Sequence, residues 1–220
     1  MSGLLNQFAL ASASAKSADS YAFKLMIDQE PLLSVGIYER ETETRGVLNG
    51  RFHLPDKTEL SGQFSVRPDH GHLVLIAKDG RELARGPEIR LVPEGKATFT
   101  LCGVTIGINF HWERKEEQTF EGGLRLLPNA DGTVTAINDA GVEQYLKSVI
   151  SSEMSAEAPL ELLRAHAIAS RSWLVAMLER QKRFKNVGGP ARRGRESEEE
   201  IVRWYDREDH KLYDVCADDH

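Results

Sequence analysis

The strongest constraint on the fold is an apolar ladder that follows Asp139. Its side chains recur at the i, i+3, i+4, i+7 and i+8 spacing of an amphipathic helix. They are Val142, Tyr145, Leu146, Val149 and Ile150. Asp139 can cap the start of this helix. Glu153 comes eleven residues after Val142, which at 3.6 residues per turn returns it to almost the same azimuth. If the helix reaches that far, a carboxylate lies on its buried face.

Burial would suit Glu153 to acid catalysis. A low-dielectric environment disfavours the ionised form of a carboxyl group, which can then keep a proton near neutral pH, as a general acid must. The alternative is that Glu153 points into solvent from a frayed last turn, since helix ends are soft and glutamate is almost never fully buried. The spacing alone leaves both interpretations open.

A second helical segment follows, after a connection near residues 151–158. Residues 160–178 are apolar nearly all round, which predicts a helix buried in the core. The basic side chain of Arg171 either reaches the site near Glu153 or lies on a solvated edge with Arg164.

Residues 21 to about 138 have the character of antiparallel β structure, because short apolar runs alternate with turn residues. Asp79-Gly80 and residues 129–132 are strong turn signals. The predicted strands are 21–27, 32–38, 73–77, 88–92, 96–101, 103–110, 120–127 and 133–138. The predicted fold class is therefore α+β: a β-rich N-terminal part with an antiparallel, sandwich or barrel-like sheet, followed by a two-helix catalytic segment.

Composition and charge restrict the domain organisation and the function classes. The 220 residues carry a formal net charge of -6, which argues against general nucleic-acid binding. No apolar run approaches the length of a transmembrane helix. Residues 1–20 lack the basic start and long apolar core of a convincing signal peptide, so we expect a flexible tail or a shortened start site there. Residues 21–220 are predicted to form a single domain.

The C-terminal part contains two features of a different kind. Residues 182–209 are rich in glycine and charge and have no apolar periodicity, which predicts a mobile insertion. Cys216 and His220 are four residues apart, a spacing found in zinc sites, although spacing alone favours a buried structural cysteine and a surface histidine.

Several segments resemble the sporulation stage II protein D family, also known as the amidase-enhancer family of bacterial cell-wall proteins. The resemblance covers roughly residues 120–176 and the tail. It is carried by FEGGL at 120–124, TVTAIN at 133–138, VEQYLKSVI at 142–150, SSEM at 151–154, PLE at 159–161, AHAIASRSW at 165–173 and YDVC at 213–216. There are departures: Ser148 replaces a glycine, Ser155 a proline and His166 a glutamine. The family pattern also continues past Cys216, so the domain looks truncated at its C-terminal end.

The resemblance implies a peptidoglycan lytic transglycosylase that cleaves glycan strands and forms an anhydro-sugar end. Glu153 would act as the only acid and base, so the second carboxylate of ordinary glycosidases is unnecessary. The implied substrate-binding residues are Tyr145, Ser152, His166 and Arg171. The chemistry requires no cofactor, while a structural zinc is implied near Cys216 and His220.

The resemblance also implies partners and a location. The partners would be peptidoglycan glycan strands and another cell-wall hydrolase, in the cell envelope outside the cytoplasm. An alternative function is a non-catalytic cell-wall module that binds glycan through the β region and stimulates a separate amidase. A third is a zinc-stabilised adaptor. Release of anhydro-sugar ends from purified glycan separates the first two.

Overall fold

The computed structural model describes residues 30–108, 110–187, 195–196, 201–202 and 211–217. The predicted tail at 1–20 and the predicted strand at 21–27 lie outside these residues. Most of the predicted insertion at 182–209 lies outside them as well.

The described residues form a β-rich part followed by two helices, which confirms the α+β class. The first ten strands are β1 Leu32–Glu41, β2 Thr44–His53, β3 Glu59–Asp69, β4 His72–Ala77, β5 Glu82–Gly86, β6 Ile89–Pro93, β7 Thr98–Ile106, β8 Arg114–Glu121, β9 Gly123–Pro128 and β10 Val134–Gly141. They are followed by α1 Val142–Glu153, α2 Leu160–Val187, β11 Arg195–Glu196, β12 Ile201–Val202 and β13 Val215–Cys216.

The sheet is open rather than closed into a barrel. Within the described chain it has eleven strands, in the order β13-β1-β10-β9-β6-β2-β3-β4-β5. Strand β7 pairs with the first half of β2, and β8 pairs with β7. Neighbouring strands are antiparallel except for the short pair of β1 with β13. Strands β11 and β12 form a separate pair.

Two of the predicted strands merge into one. Residues 96–101 and 103–110 were expected to form separate strands, but they form the single strand β7, which ends at Ile106. Its pairing with β8 shifts register between Leu101 and Val104. A bulge absorbs the one extra residue of β7 and lets the strand continue.

The predicted strand at 120–127 is instead divided at a corner. Gly122 has a φ of 99°, and a Cβ atom there would lie 2.5 Å from the carbonyl oxygen of Asp139. Glycine is therefore required on both counts. The buried side chain of Asn138 donates to the carbonyl oxygens of Glu121 and Gly123 at 2.9 and 3.0 Å, which satisfies the backbone on either side of the corner.

Strand β1 takes part in two hydrophobic cores. Leu33 and Val35 belong to a helical core with residues of α1, α2 and β13. Ile37 belongs to the larger β core. The β1–β10 register shifts between Gly36 and Tyr38, so a bulge separates the two groups. The helical core comprises Leu33, Val35, Val142, Leu146, Leu174, Leu178 and Val215.

Helix α1 begins directly at the end of β10. The expectation that Asp139 caps this helix is wrong, because strand pairing with β1 continues through Asp139 to Gly141. Gly141 is the N-cap residue. The Glu30 carboxylate accepts the exposed backbone N–H of Glu143 at 2.8 Å. A carboxylate from outside the helix therefore satisfies one of its first N–H groups.

Helix α2 is longer and more exposed than the sequence predicts. It continues through Val187, so the first six residues of the predicted insertion are helical. Leu174 and Leu178 are buried, but Ile168 and Trp173 are 63% and 50% exposed. The prediction of a helix buried all round is wrong, because α2 packs through one face on α1 and the helical core. Neither described helix is long and apolar enough to span a membrane.

The attachment of β13 to β1 gives a testable prediction. A Cβ atom on Gly36 would overlap the buried ring of Tyr213, whose hydroxyl donates to Glu39 at 2.8 Å. We expect Gly36→Ala to lower the free energy of unfolding by about 1–3 kcal/mol through overpacking, as measured by urea unfolding. Gly123→Ala is the matched control, because its nearest atom would be 3.4 Å away. Equal stability of the two variants would contradict the tight packing at Gly36.

Candidate functional site

Glu153 is the last residue of α1. The backbone N–H of Met154 donates to the carbonyl oxygen of Ile150 at 3.0 Å and closes the helix there. The Glu153 side chain is 47% exposed, so of the two interpretations left open by the spacing, the solvent-facing side chain at the helix end is the one observed. Burial decreases along the ladder: Val142 and Leu146 are buried, whereas Ile150 is only half-buried. The azimuth of Glu153 around the axis of α1 is as predicted, but the helical core does not extend to the last turn of this helix.

His166 of α2 lies beside Glu153. Its Nε2 atom is 2.8 Å from Oε2 of Glu153, and the His166 side chain is 25% exposed. Nε2 itself is shielded from solvent and makes no aligned hydrogen bond, so the contact is a close carboxylate–imidazole pair. Such a pair can exchange a proton between the two helices.

Two other predicted site residues lie on α1. The hydroxyl of Ser152 is exposed and donates to the carbonyl oxygen of Val149 at 2.8 Å. Tyr145 is half-buried and packs against the helical core. Of the side chains predicted to bind substrate, the structure thus brings His166 into contact with Glu153.

Arg171 is engaged elsewhere. Its Nε and Nη2 atoms donate to the two carboxylate oxygens of Glu143, both at 2.7 Å. Glu143 lies ten residues before Glu153, which corresponds to roughly 15 Å along the helix axis. Arg171 therefore neither reaches Glu153 nor lies free on a solvated edge. The hydrogen bonds from Arg171 lower the pKa of Glu143, and those to Glu143 raise the pKa of Arg171.

A polar cluster around Asp139 was not predicted from the sequence. Asp139 accepts from Ser34 Oγ at 2.8 Å and from Arg125 at 3.0 and 3.2 Å. The backbone N–H of Ser34 donates to Asp214 at 3.0 Å. These residues come from β1, β9, β10 and the segment before β13. Nothing local in the sequence indicates these contacts, because Ser34 and Asp139 are 105 residues apart.

The predicted zinc ligands are only partly described. Cys216 is half-buried in β13, opposite Gly36 of β1, whereas His220 lies outside the described residues. Among the described residues, no group of three or more His, Cys, Asp or Glu side chains is arranged to hold a metal ion. No disulfide joins Cys102 and Cys216. Zinc binding by Cys216 and His220 stays a prediction.

The Glu143–Arg171 pair gives a prediction about pH. Because its folded-state pKa is lowered, Glu143 contributes stability above its unfolded pKa of about 4.3 and loses that contribution as the pH falls through the lower folded value. A double-mutant cycle of Glu143→Gln and Arg171→Ala should give a coupling of about 0.5 kcal/mol at pH 7, since both side chains are partly exposed.

The exposed pair of Glu161 with Arg164 is the matched control, with side chains 81% and 61% exposed. Its coupling should be smaller than that of Glu143 with Arg171. Urea unfolding at pH 7 and in strong acid measures both cycles. A Glu143–Arg171 coupling that persists in acid would contradict the electrostatic explanation.

The comparisons with known proteins concern the C-terminal part of the chain. Residues 130–220 match the SpoIID family, described as Stage II sporulation protein. A stretch of 87 residues, 39% of this chain, is 32% identical to an uncharacterized protein of Brachyspira hyodysenteriae. The chain spans 21% of that relative's length. No solved structure matches significantly.

The matched segment contains α1, α2, β13 and the Glu153–His166 pair. The match confirms the resemblance noted from the sequence. Residues 130–220 are thus similar to the sporulation stage II protein D family, which is the family that the sequence motifs resemble.

Proposed function

We propose that the chain is a peptidoglycan lytic transglycosylase in which Glu153 acts as the single acid and base. One observation carries the proposal: the partner of Glu153 is a histidine, whereas the other acids at and before the start of α1 are bound by arginines. A carboxylate held by a permanent cation is kept ionised, while a carboxylate beside an imidazole can hold or give up a proton.

The two neighbouring acids fit a structural role better than a catalytic one. The pKa of Glu143 is lowered by Arg171, so this residue is ionised at neutral pH and is a poor proton donor. Asp139 is four-fifths buried and is held by Arg125 and Ser34. Both carboxylates hold strands and helices together, which leaves Glu153 as the one of these three acids that is open to a ligand.

The position of Glu153 also suits an acid. It ends α1, whose last turn contains no basic residue. The side chain is accessible to a polymer, which could not enter an enclosed pocket.

The proposed reaction needs one carboxyl group. Protonated Glu153 donates its proton to the glycosidic oxygen while the bond from that oxygen to the anomeric carbon breaks. The carboxylate then accepts the proton of the 6-hydroxyl of the same sugar, and that oxygen bonds to the anomeric carbon to close the anhydro ring. The first proton stays on the leaving oxygen, and the proton of the 6-hydroxyl restores the protonated state of Glu153. No water is consumed, and a second carboxylate is not required.

In this proposal His166 is a positioning residue. Its contact at 2.8 Å fixes one oxygen of Glu153, which leaves the other oxygen for the glycan. Ser152 contributes an exposed hydroxyl one position before the acid. Tyr145 and Arg171 would act further from Glu153, by supporting α1 or by contacting more distant sugars.

The remaining parts of the proposal concern location and partners. A peptidoglycan substrate places the protein in the cell envelope, outside the cytoplasm, with glycan strands and another cell-wall hydrolase as its partners. Zinc held by Cys216 and His220 would be structural in this scheme, because the reaction does not use it.

A second function is favoured by the exposed face of α2. Leu162, Ile168 and Trp173 lie on it and are about half-exposed or more. Exposed apolar clusters often mark protein interfaces. The alternative is therefore a non-catalytic cell-wall module that stimulates a separate amidase through this face.

Substitution of Glu153 tests the proposed reaction. We expect Glu153→Gln to keep the fold and to lower turnover by at least ~10²-fold, because the amide cannot donate and accept the proton. The measurement is mass spectrometry of anhydro-sugar ends released from purified glycan strands. Glu157→Gln, an exposed change in the α1–α2 connection, is the matched control and should retain activity.

The same variants separate the two functions. If Glu153→Gln cleaves glycan like the parent chain, Glu153 is not the catalytic acid. If neither the parent nor the variant releases anhydro-sugar ends, but both stimulate an added amidase, the non-catalytic module is the correct function.

Substitution of His166 tests positioning. We expect His166→Ala to lower kcat by about tenfold with little change in KM, because the acid loses its orienting contact. His166→Gln should restore most of kcat, since glutamine can bond to the carboxylate and is the residue usual in the family pattern. A loss of activity that is equal in both variants would show that the imidazole itself takes part in proton transfer.

A further inference from the structure

The turn between β7 and β8 carries three large apolar side chains that belong to neither hydrophobic core. Ile108, Phe110 and Trp112 are 42%, 48% and 43% exposed. We call these three side chains the aromatic tip. Exposed apolar surface of this kind costs free energy in water, and a cluster of it often marks a binding site.

The two aromatic rings are held in a fixed arrangement. Phe110 and Trp112 stack with ring centres 5.4 Å apart and an angle of 17° between the ring planes. The ring of Trp112 lies directly over Gly107, where a Cβ atom would overlap it. The N–H groups of Phe110 and Glu113 donate to the carbonyl oxygens of Gly107 and Phe110, both at 3.0 Å. The backbone thus preorganises the rings without help from a core.

The two basic side chains that follow the aromatic tip in sequence are paired with carboxylates of the chain. Arg114 pairs with Glu116 at 3.1 Å, and Lys115 pairs with Glu41 at 3.1 Å. A site for nucleic acid or anionic lipid would instead present unpaired cations beside the apolar groups. The aromatic tip therefore fits a ligand with a flat, uncharged and weakly apolar face.

We infer that the aromatic tip is a stacking site for the sugar rings of a β-1,4-linked glycan. A pyranose ring with equatorial substituents presents axial C–H groups on its faces, and these faces pack flat against aromatic rings. The identity of the glycan as peptidoglycan rests on the proposed function. The contact itself does not use Glu153, which lies on a different element of the fold.

The test measures binding in the full chain carrying Glu153→Gln, so that the probe is not cleaved. The probe is purified peptidoglycan glycan strands without stem peptides, measured by co-sedimentation. Phe110→Ala and Trp112→Ala should each weaken binding by about tenfold, the effect of losing one stacked ring. Val92→Ala is the matched control, because it removes an apolar side chain of similar exposure, 49%, from β6, where no binding site is proposed, and should leave binding within about twofold.

Three results would overturn the inference. Two of them are no measurable glycan binding by the Glu153→Gln chain and unchanged binding by both tip variants. A third is binding to phosphatidylglycerol vesicles that the tip variants lose while glycan binding is unaffected, which would identify a lipid surface instead. Circular dichroism checks that each variant is folded. If the parent chain cleaves no glycan but the tip variants still weaken binding, the inference stands and the proposed function fails.

Discussion

The pairing of β1 with β10 is the interaction on which the rest of this structure depends. Strand β10 continues into α1 without a loop, so the direction of the helix follows from the register of that pairing. The bulge in β1 assigns Leu33 and Val35 to the helical core and Ile37 to the β core. One strand therefore fixes the helices to the sheet, and the position of Glu153 relative to His166 follows from it.

Local sequence signals predicted the parts of the fold that local interactions decide. The turn at Asp79-Gly80 and the start of α1 after β10 follow from turn chemistry and from helical periodicity. The sequence could not indicate which face of α2 is covered, because that depends on how much sheet and helix lie beside it. The pairing of Arg171 with Glu143 is also a tertiary contact, because its partners are 28 positions apart in the sequence. Periodicity placed Glu153 on the correct azimuth but could not show where the core ends.

The segments that carry the family resemblance serve two physical purposes. Gly122 and Asn138 shape a backbone corner, where a larger residue or a lost amide would disrupt the pairing of the strands. Glu153 has no comparable structural duty, since it is half-exposed at a helix end and its contact is a histidine. A residue that the fold does not need, held beside a histidine at the end of a packed helix, is a strong candidate for chemistry.

The exposure of Glu153 links the proposed acid to the proposed glycan site. An exposed carboxyl group exchanges protons with water, and solvent screens its interaction with His166. A glycan strand lying across α1 would displace that water, so the proton would then be shared within the carboxylate–imidazole pair under a lower local dielectric. In this scheme the bound substrate shields Glu153 from water, because the helical core does not. This shielding requires the glycan strand to stay bound. An aromatic tip that binds other sugars of the strand would contribute binding affinity without contacting the bond to be cleaved.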